Sequence, residues 1–564
     1  MKKLELIRGI NSLFNKKRLC STNKRKETDF FITTPIFYVN SVPHIGHVFT
    51  ALLADAQNRF QKLLGVTSSF LSTGTDEHGM KILQAATKNG MQAQDFCDKI
   101  SIQFKDVFQE MNIDYNVFFR TTSIDHKKSV QHFYKQINDR GYVYSGTYEG
   151  WYCTSDEMFL TSTHLIDVKD PVTGKMKKLS SLSGQEVEWT SECNYMFKLS
   201  QFKDDLLHWL KNENVIKPKI FQNILINDIY ENLRDISISR DRSRLPWGIP
   251  VPDDDSQTIY VWLDALINYL TVRGYPDSKF QHWPPDYHVI GKEILKFHGI
   301  YWPAFLMAAG LEPPRHLLVH SHWLVDHQKM SKSKGNSITP MSRIDSYTAE
   351  GLRYYLLREG VPHSDSNYSD VKVEKYLNSE LANTLGNLLN RCTSTTLNQG
   401  QIFRPICRDT YRQYSSADGE SLVEAVDGLA DSVAEHYTNF NFYHGLEEIM
   451  TVLRQANLFL QSQKPWEFKN DEKRLSTIIS VAMETLRVCG ILLQPIVPVL
   501  SDKLLSRLGV SNERRTWHDA ENNFIALKSD VRIDDVRLGD NTGVFFQKVK
   551  LEEPVLQAKE SVVK

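Results

Sequence analysis

The chain has 564 residues, 41% hydrophobic and 24% charged, the averages of a soluble globular protein, and this length implies several domains rather than one. No stretch approaches the roughly 18 uninterrupted apolar residues of a membrane span, and a net charge of −1 offers nucleic acid no bulk attraction. The seven cysteines are scattered without a C-x-x-C pair, which speaks against a disulfide framework and gives no clear zinc site.

Residues 1–26 hold nine Lys or Arg and one acid, Glu5. Leu6, Ile10 and Leu13 recur at helical spacing among Lys2, Lys3, Arg8, Lys16, Lys17 and Arg18, which reads as a mitochondrial transit peptide and predicts delivery to the mitochondrial matrix. A basic tail that touches RNA is the competing reading. Without this segment the remainder is acidic, so any nucleic-acid site must be a local patch.

Phe30-Phe31-Ile32-Thr33-Thr34 predicts a short buried strand ended by Pro35, which cannot donate to a ladder. Phe49, Leu52, Leu53, Ala56, Phe60 and Leu63 then share one helical face, closed by Gly65. The loop between carries Pro43-His44-Ile45-Gly46-His47, which puts two imidazoles and a glycine where a helix N-terminus favours phosphate. An ordinary loop with incidental histidines would read the same.

From about Val143 to Thr258 the strand–helix alternation is lost, with Trp151-Tyr152-Cys153, a charged turn around Asp170-Pro171-Val172-Thr173-Gly174, and Trp189. This predicts an inserted domain. Beyond it, Trp262, Ala265, Leu266 and Tyr269 share one helical face, and Ile294, His298 and Trp302 share another. On spacing alone such aromatic faces read first as core packing. A strand-like Leu317-Leu318-Val319-His320 precedes the basic loop Lys329-Met330-Ser331-Lys332-Ser333. From about Lys372 to Leu508 apolar residues recur at helical period around a polar, flexible stretch, Gln399 to Glu420. That pattern predicts a helical bundle. The closing Val544–Val549 and polar tail leave no room for an appended dimerisation domain, which predicts a monomer.

The histidine motif followed far downstream by the lysine loop resembles the two signatures of class I aminoacyl-tRNA synthetases. Thr34–Asn40, Gly74-Thr75-Asp76-Glu77-His78-Gly79, Val261-Trp262-Leu263-Asp264-Ala265 and Gly291-Lys292-Glu293-Ile294 narrow the resemblance to the methionyl-tRNA synthetase family, from about Phe30 to residue 550. The resemblance implies an α/β fold. In it, a transit peptide (1–26) precedes a split Rossmann-type parallel-sheet catalytic domain (27–142 and 259–320) interrupted by a connective-peptide insertion (143–258). A lysine-loop and stem-contact region (321–371), a helical anticodon-binding domain (372–550) and a polar tail (551–564) follow.

By the same resemblance, ATP and methionine are substrates, Mg²⁺ accompanies ATP, and tRNA(Met) is the partner. Asp76 would meet the substrate ammonium and Arg240 its carboxylate, while Ile36, Tyr38, Trp262, Ala265, Tyr269, Ile294, His298 and Trp302 would line the side-chain pocket. His44, Gly46, His47, Gly291, Glu293, Lys329, Ser331 and Lys332 would hold ATP, with His44, His47, Lys329 and Lys332 catalytic. Asn387, Arg391 and Trp466 would read the anticodon. The chain departs from the family at Leu266, where many relatives have proline, and at Cys153, which Thr154-Ser155-Asp156 follows instead of a second cysteine. No structural zinc is therefore expected. A small-molecule nucleotidyltransferase or a non-catalytic RNA-binding protein remains the alternative on motifs alone.

Overall fold

A computed structural model of the chain describes residues 29–153, 158–160, 164–169, 174, 176–181, 184–212, 215–330, 336–528, 534–540 and 543–550. The transit-peptide segment, Asp170–Thr173 of the predicted turn, Ser331, Lys332 and the polar tail lie outside the described residues.

Six parallel strands form the central sheet: β1 (Asp29–Tyr38), β2 (Ser68–Asp76), β3 (Val117–Arg120), β4 (Ile216–Lys217), β5 (Tyr287–Gly291) and β6 (His316–His320), in the order β3-β2-β1-β5-β6-β4. The chain runs outward from β1 to β3 and returns to the opposite side of β1. The strand order therefore reverses between β1 and β5, and a crevice opens above their C-terminal ends. Residues of the inner strands alternate between two cores. Val289 and Leu318 face one and Ile290, Leu317 and Val319 the other, the two-sided burial expected when helices cover both faces of a parallel sheet.

The predicted strand end at Pro35 is corrected: β1 continues to Tyr38, with its pairing to β2 shifted between Thr33 and Ile36. Its pairing to β5 spans Ile32 and Thr33. Proline, which lacks an N–H, thus sits at an irregularity where no ladder bond is required of it. Helix α1 (Ile45–Leu63) follows as the periodicity predicts. Gly65, at φ +93°, receives the chain behind it in a conformation that favours glycine.

In the inserted segment, Val143–Cys153 and Glu188–Phe197 pair as long antiparallel strands. The segment also returns β4 to the central sheet, where Ile216 and Lys217 pair with Leu317 and Leu318. A two-residue strand is too short to show a period in sequence.

The C-terminal region is helical. Its central helix, Glu472–Leu492, is long and apolar enough by composition to cross a membrane, yet most of it is buried among its neighbours. The stretch expected to be flexible between Gln399 and Glu420 carries a two-residue strand, Ile402–Phe403, paired with Val536–Arg537. It also holds helix Arg408–Tyr414 and the start of Ala417–Asp427. Ser416 caps the latter by accepting from Gly419 N at 3.1 Å, so the polar residues that suggested a loop serve as a helix start.

The sheet domain and the helical bundle share a fully buried clamp. Arg353, on helix Ala349–Glu359, donates to Asp55 Oδ2 of α1 at 2.6 Å, to Ile496 O at 2.8 Å, to Met111 O at 3.0 Å and to Pro495 O at 3.2 Å.

Candidate active site

Where β1 and β5 diverge, a cavity of about 280 Å³ opens between the sheet and α1. Ile36 and Tyr38 from β1, Asp76 from the end of β2 and Gly291 from the end of β5 line it, with His44, Gly46 and His47 at the start of α1. Trp262, Ala265 and Tyr269 form one wall and Glu293, Ile294 and His298 another; Lys329 closes the mouth.

His44 is the N-cap of α1, and the two histidines form a reciprocal capping box. His44 Nδ1 accepts from Gly46 N at 3.1 Å, and His47 Nδ1 accepts from His44 N at 3.2 Å. The rings stack with centroids 3.7 Å apart. A neutral imidazole that accepts at Nδ1 carries its proton on Nε2, so the helix start itself fixes the donor edge of both rings. Gly46 is required here because a Cβ would stand 2.9 Å from His44 Cε1.

The aromatic wall is built from α2 (Val261–Leu266), the turn Asn268–Thr271, and a π-helical turn, Phe297–Tyr301. Trp262 stacks on Phe297 at 3.7 Å between centroids. His298 Nδ1 donates to Ile294 O at 3.0 Å, which leaves Nε2 to accept the Tyr269 hydroxyl at 2.8 Å. Burial lowers the His298 pKa to about 4 against a weaker opposing pull from Ile294 O, so the imidazole is neutral at physiological pH. The result is an apolar socket with one satisfied polar pair at its base.

Trp302, expected in the pocket, lies behind it. It is fully buried, donates from Nε1 to His288 Nε2 at 3.2 Å, and stands 6.0 Å from the Tyr269 ring. The π turn before it supplies the reason, since wider hydrogen-bond spacing rotates later positions off the face that α-helical spacing assigns them. Arg240 does not line the cavity either. It is buried, donates to Ser237 Oγ at 2.8 Å and Ser239 O at 2.7 Å, and lies 4.6 Å from the Tyr260 ring.

Glu293 sits at the mouth and accepts from His322 Nε2 at 2.7 Å. Burial pushes its pKa up, but the His322 hydrogen bond and positive potential outweigh this and hold it at about 2. A Cβ at Gly291 would stand 2.4 Å from Glu293 Oε2, so a side chain there would displace the carboxylate. Lys329 is exposed in a short hairpin, where it pairs with Leu324. Sequence reasoning missed His320, Ser321, His322 and Trp323, which also line the cavity. The available signal was position, since they end or follow β6, and residues at the carboxyl ends of such strands face the crevice. Lys81 and Asn268 line it too, without a motif to announce them.

Among the described residues no group of three or more His, Cys, Asp or Glu side chains could hold a metal ion. In the bundle, the Arg391 guanidinium stands 5.9 Å from the half-exposed Trp466 ring, and Asn387 lies exposed one turn before Arg391 on helix Asn387–Thr393.

Residues 30–393 match the family model described as tRNA synthetases class I (M), and residues 413–553 match the anticodon binding domain of methionyl tRNA ligase. The mitochondrial methionine–tRNA ligase of Homo sapiens is 47% identical over 536 residues, covering 92% of this chain and 90% of that protein. The chain belongs to the methionyl-tRNA synthetase family. A probable mitochondrial methionine–tRNA ligase of Dictyostelium discoideum is 42% identical, over 90% of this chain and 92% of its own. The Mycobacterium tuberculosis methionyl-tRNA synthetase bound by methionyl-adenylate superposes with a TM-score of 0.84 at 34% identity, covering 92% of this chain and 100% of that one. This synthetase is accordingly a ligase that joins methionine to tRNA, and its parallel-sheet catalytic domain and helical anticodon domain are those of its family.

Proposed function

We propose that the cavity above β1 and β5 holds methionine and ATP side by side, and that this synthetase charges tRNA(Met) as a monomer in the mitochondrial matrix, delivered there by residues 1–26. One observation carries the reading. A helix N-terminus presenting two imidazole donors, a buried carboxylate and an aromatic socket open into one space.

Asp76, nearly buried, takes the substrate ammonium. Ile36, Tyr38, Trp262, Ala265, Tyr269, Ile294 and His298 enclose the thioether by shape and aromatic contact, with Trp302 holding Tyr269 from behind. Arg240 braces the Tyr260 ring next to α2 and acts on the carboxylate end of the site through that wall. Glu293 accepts from the ribose hydroxyls of ATP. The methionine carboxylate attacks the α-phosphorus in line and pyrophosphate leaves, so catalysis is positioning plus charge stabilisation. His44 and His47 donate from Nε2 to the phosphate oxygens; Lys329 and Lys332, with Ser331 between them, neutralise the departing pyrophosphate. Mg²⁺ carried by ATP would supply further charge neutralisation at the phosphates; among the described residues no group of three or more His, Cys, Asp or Glu side chains could hold it. The terminal ribose hydroxyl of tRNA then attacks the adenylate carbonyl, the bond from that carbon to the phosphate oxygen breaks, and AMP leaves. The anticodon meets the Arg391 and Trp466 pair and Asn387, by stacking on the indole and hydrogen bonding to splayed bases.

Amino-acid-dependent ATP–pyrophosphate exchange across the twenty amino acids tests the reading. Exchange with methionine, abolished in Lys332→Ala with methionine affinity retained, is the expected result. Exchange unchanged in that variant, or absent with methionine, would overturn it.

A further inference from the structure

The aromatic wall stands on a helix too short to orient itself. Helix α2 has six residues and no side-chain cap, and isolated helices of this length are unstable. Trp262 and Ala265 face the cavity from it. Between them in sequence, Asp264 turns into the protein and is fully buried.

Both Asp264 oxygens are engaged by imidazoles. Oδ2 lies 2.7 Å from His78 Nδ1 and Oδ1 lies 2.8 Å from His126 Nε2, and all three side chains are buried. His78 follows Asp76 by two residues, and its loop is pinned by Trp247, whose Nε1 donates to Glu77 O and whose backbone oxygen accepts from Gly79 N at 3.0 Å. His126 lies in the first turn of helix Ile124–Asp139, and its Nδ1 is 3.1 Å from Thr271 Oγ1, just beyond Tyr269. Burial alone raises the pKa of Asp264, and the two imidazoles more than reverse this to hold it at about 2.

We propose that Asp264 is a positioning residue for methionine: with His78 and His126 it fixes the distance between the carboxylate that takes the ammonium and the aromatic wall that takes the side chain. None of the three lines the cavity. The clamp joins the two halves of the methionine site and leaves the phosphate end, at the start of α1, untouched. This rests on the assignment of Asp76 and Trp262 to methionine made above.

The test compares Asp264→Asn with Asp76→Asn, and with Glu350→Gln as a control. Glu350 is another buried carboxylate, which accepts from Leu500 N at 2.9 Å and does not line the cavity. ATP–pyrophosphate exchange on the full enzyme should show the methionine KM of Asp264→Asn raised about tenfold or more, with the ATP KM within about twofold of wild type, since misplacement of a binding wall acts on the ligand it holds. Glu350→Gln should lose thermal stability without this split. Equal losses for both substrates, or the same profile in the control, would reduce Asp264 to a structural role and overturn the proposal. His126→Gln, which keeps one N–H for Asp264, is measured alongside. If Asp264→Asn does not fold, an unchanged methionine KM in His126→Gln overturns the clamp and a raised one supports it. An Asp76→Asn enzyme with normal methionine KM would overturn the site assignment and the clamp together. A raised KM in Asp76→Asn but not in Asp264→Asn would overturn the clamp alone.

Discussion

Replacing Arg353 by methionine keeps most of the side-chain volume and removes the guanidinium that joins α1, the chain after helix Ala93–Glu110, and the bundle. In the native protein that group is fully buried and satisfies one carboxylate, Asp55, and the carbonyls of Met111, Pro495 and Ile496. Asp55 keeps Arg59 Nε at 3.0 Å and Asp114 N at 2.8 Å, so its charge is partly compensated after the substitution. The carbonyls are left in a site from which water is excluded. Breaking a buried pair by removing one partner costs about 3–5 kcal/mol, a large share of the roughly 5–15 kcal/mol that separates folded from unfolded domains. Urea unfolding followed by tryptophan fluorescence should show this loss. Asp55→Asn made in the Arg353→Met background should cost much less than in wild type, because the partner is already absent. A loss under about 1 kcal/mol, or full additivity of the two substitutions, would refute the claim that this ion pair holds the domains together.

Three other outcomes follow from described contacts. Gly46→Ala drives a methyl into the His44 ring and should lower kcat for ATP–pyrophosphate exchange by about a hundredfold with methionine binding retained, read by exchange kinetics and by calorimetric titration of methionine. Trp466→Ala should lower kcat/KM for tRNA charging by about 5- to 150-fold, the loss of roughly 1–3 kcal/mol of base stacking, while exchange is unaffected; equal losses in both assays would separate Trp466 from the anticodon. Below pH 6.5 stability should fall, because the unfolded chain takes a proton on His298 at its ordinary pKa while the folded chain takes it at about 4. Full stability is present above the unfolded value and is lost progressively down to pH 4, on the order of 3 kcal/mol for this group. Buried His288 and His320, also lowered by burial, add in the same direction. His298→Gln should flatten the slope of unfolding free energy against pH between 4 and 6.5. Asp264 and Glu293, held at about 2, lose their contribution only below the ordinary carboxylate range.

What could be read in the sequence was whatever local spacing controls. His44, Gly46 and His47 fall at the start of α1 because the apolar stripe from Phe49 to Leu63 fixes where the helix lies. Trp262, Ala265 and Tyr269 meet in the cavity because near-helical geometry persists through a break at Ile267. The same reasoning misplaced Trp302, since a π turn leaves no trace in a hydrophobic period. It missed His320, His322 and Trp323 because their nearness to Glu293 and α1 depends on the pairing of β5 with β6, a contact between distant segments. Arg240 carries no local signal of orientation; its guanidinium is turned by Ser237 and Ser239 of the same short stretch. Nor does the sequence announce that Asp264 and Arg353 will be buried with their charges, because burial is decided by elements more than a hundred residues away.

Helix α1 is a lever as well as a scaffold. The stacked histidines sit at its tip and Asp55, eleven positions along, is fastened through Arg353 to the bundle, a span of about 16 Å at 1.5 Å per residue. A tilt of roughly 4° about that fulcrum carries the imidazole edges through about 1 Å, enough to spoil an in-line approach. Any change in the seating of the distant bundle is therefore magnified into a displacement at the phosphates, and the stiffness of one guanidinium socket sets how much of it arrives.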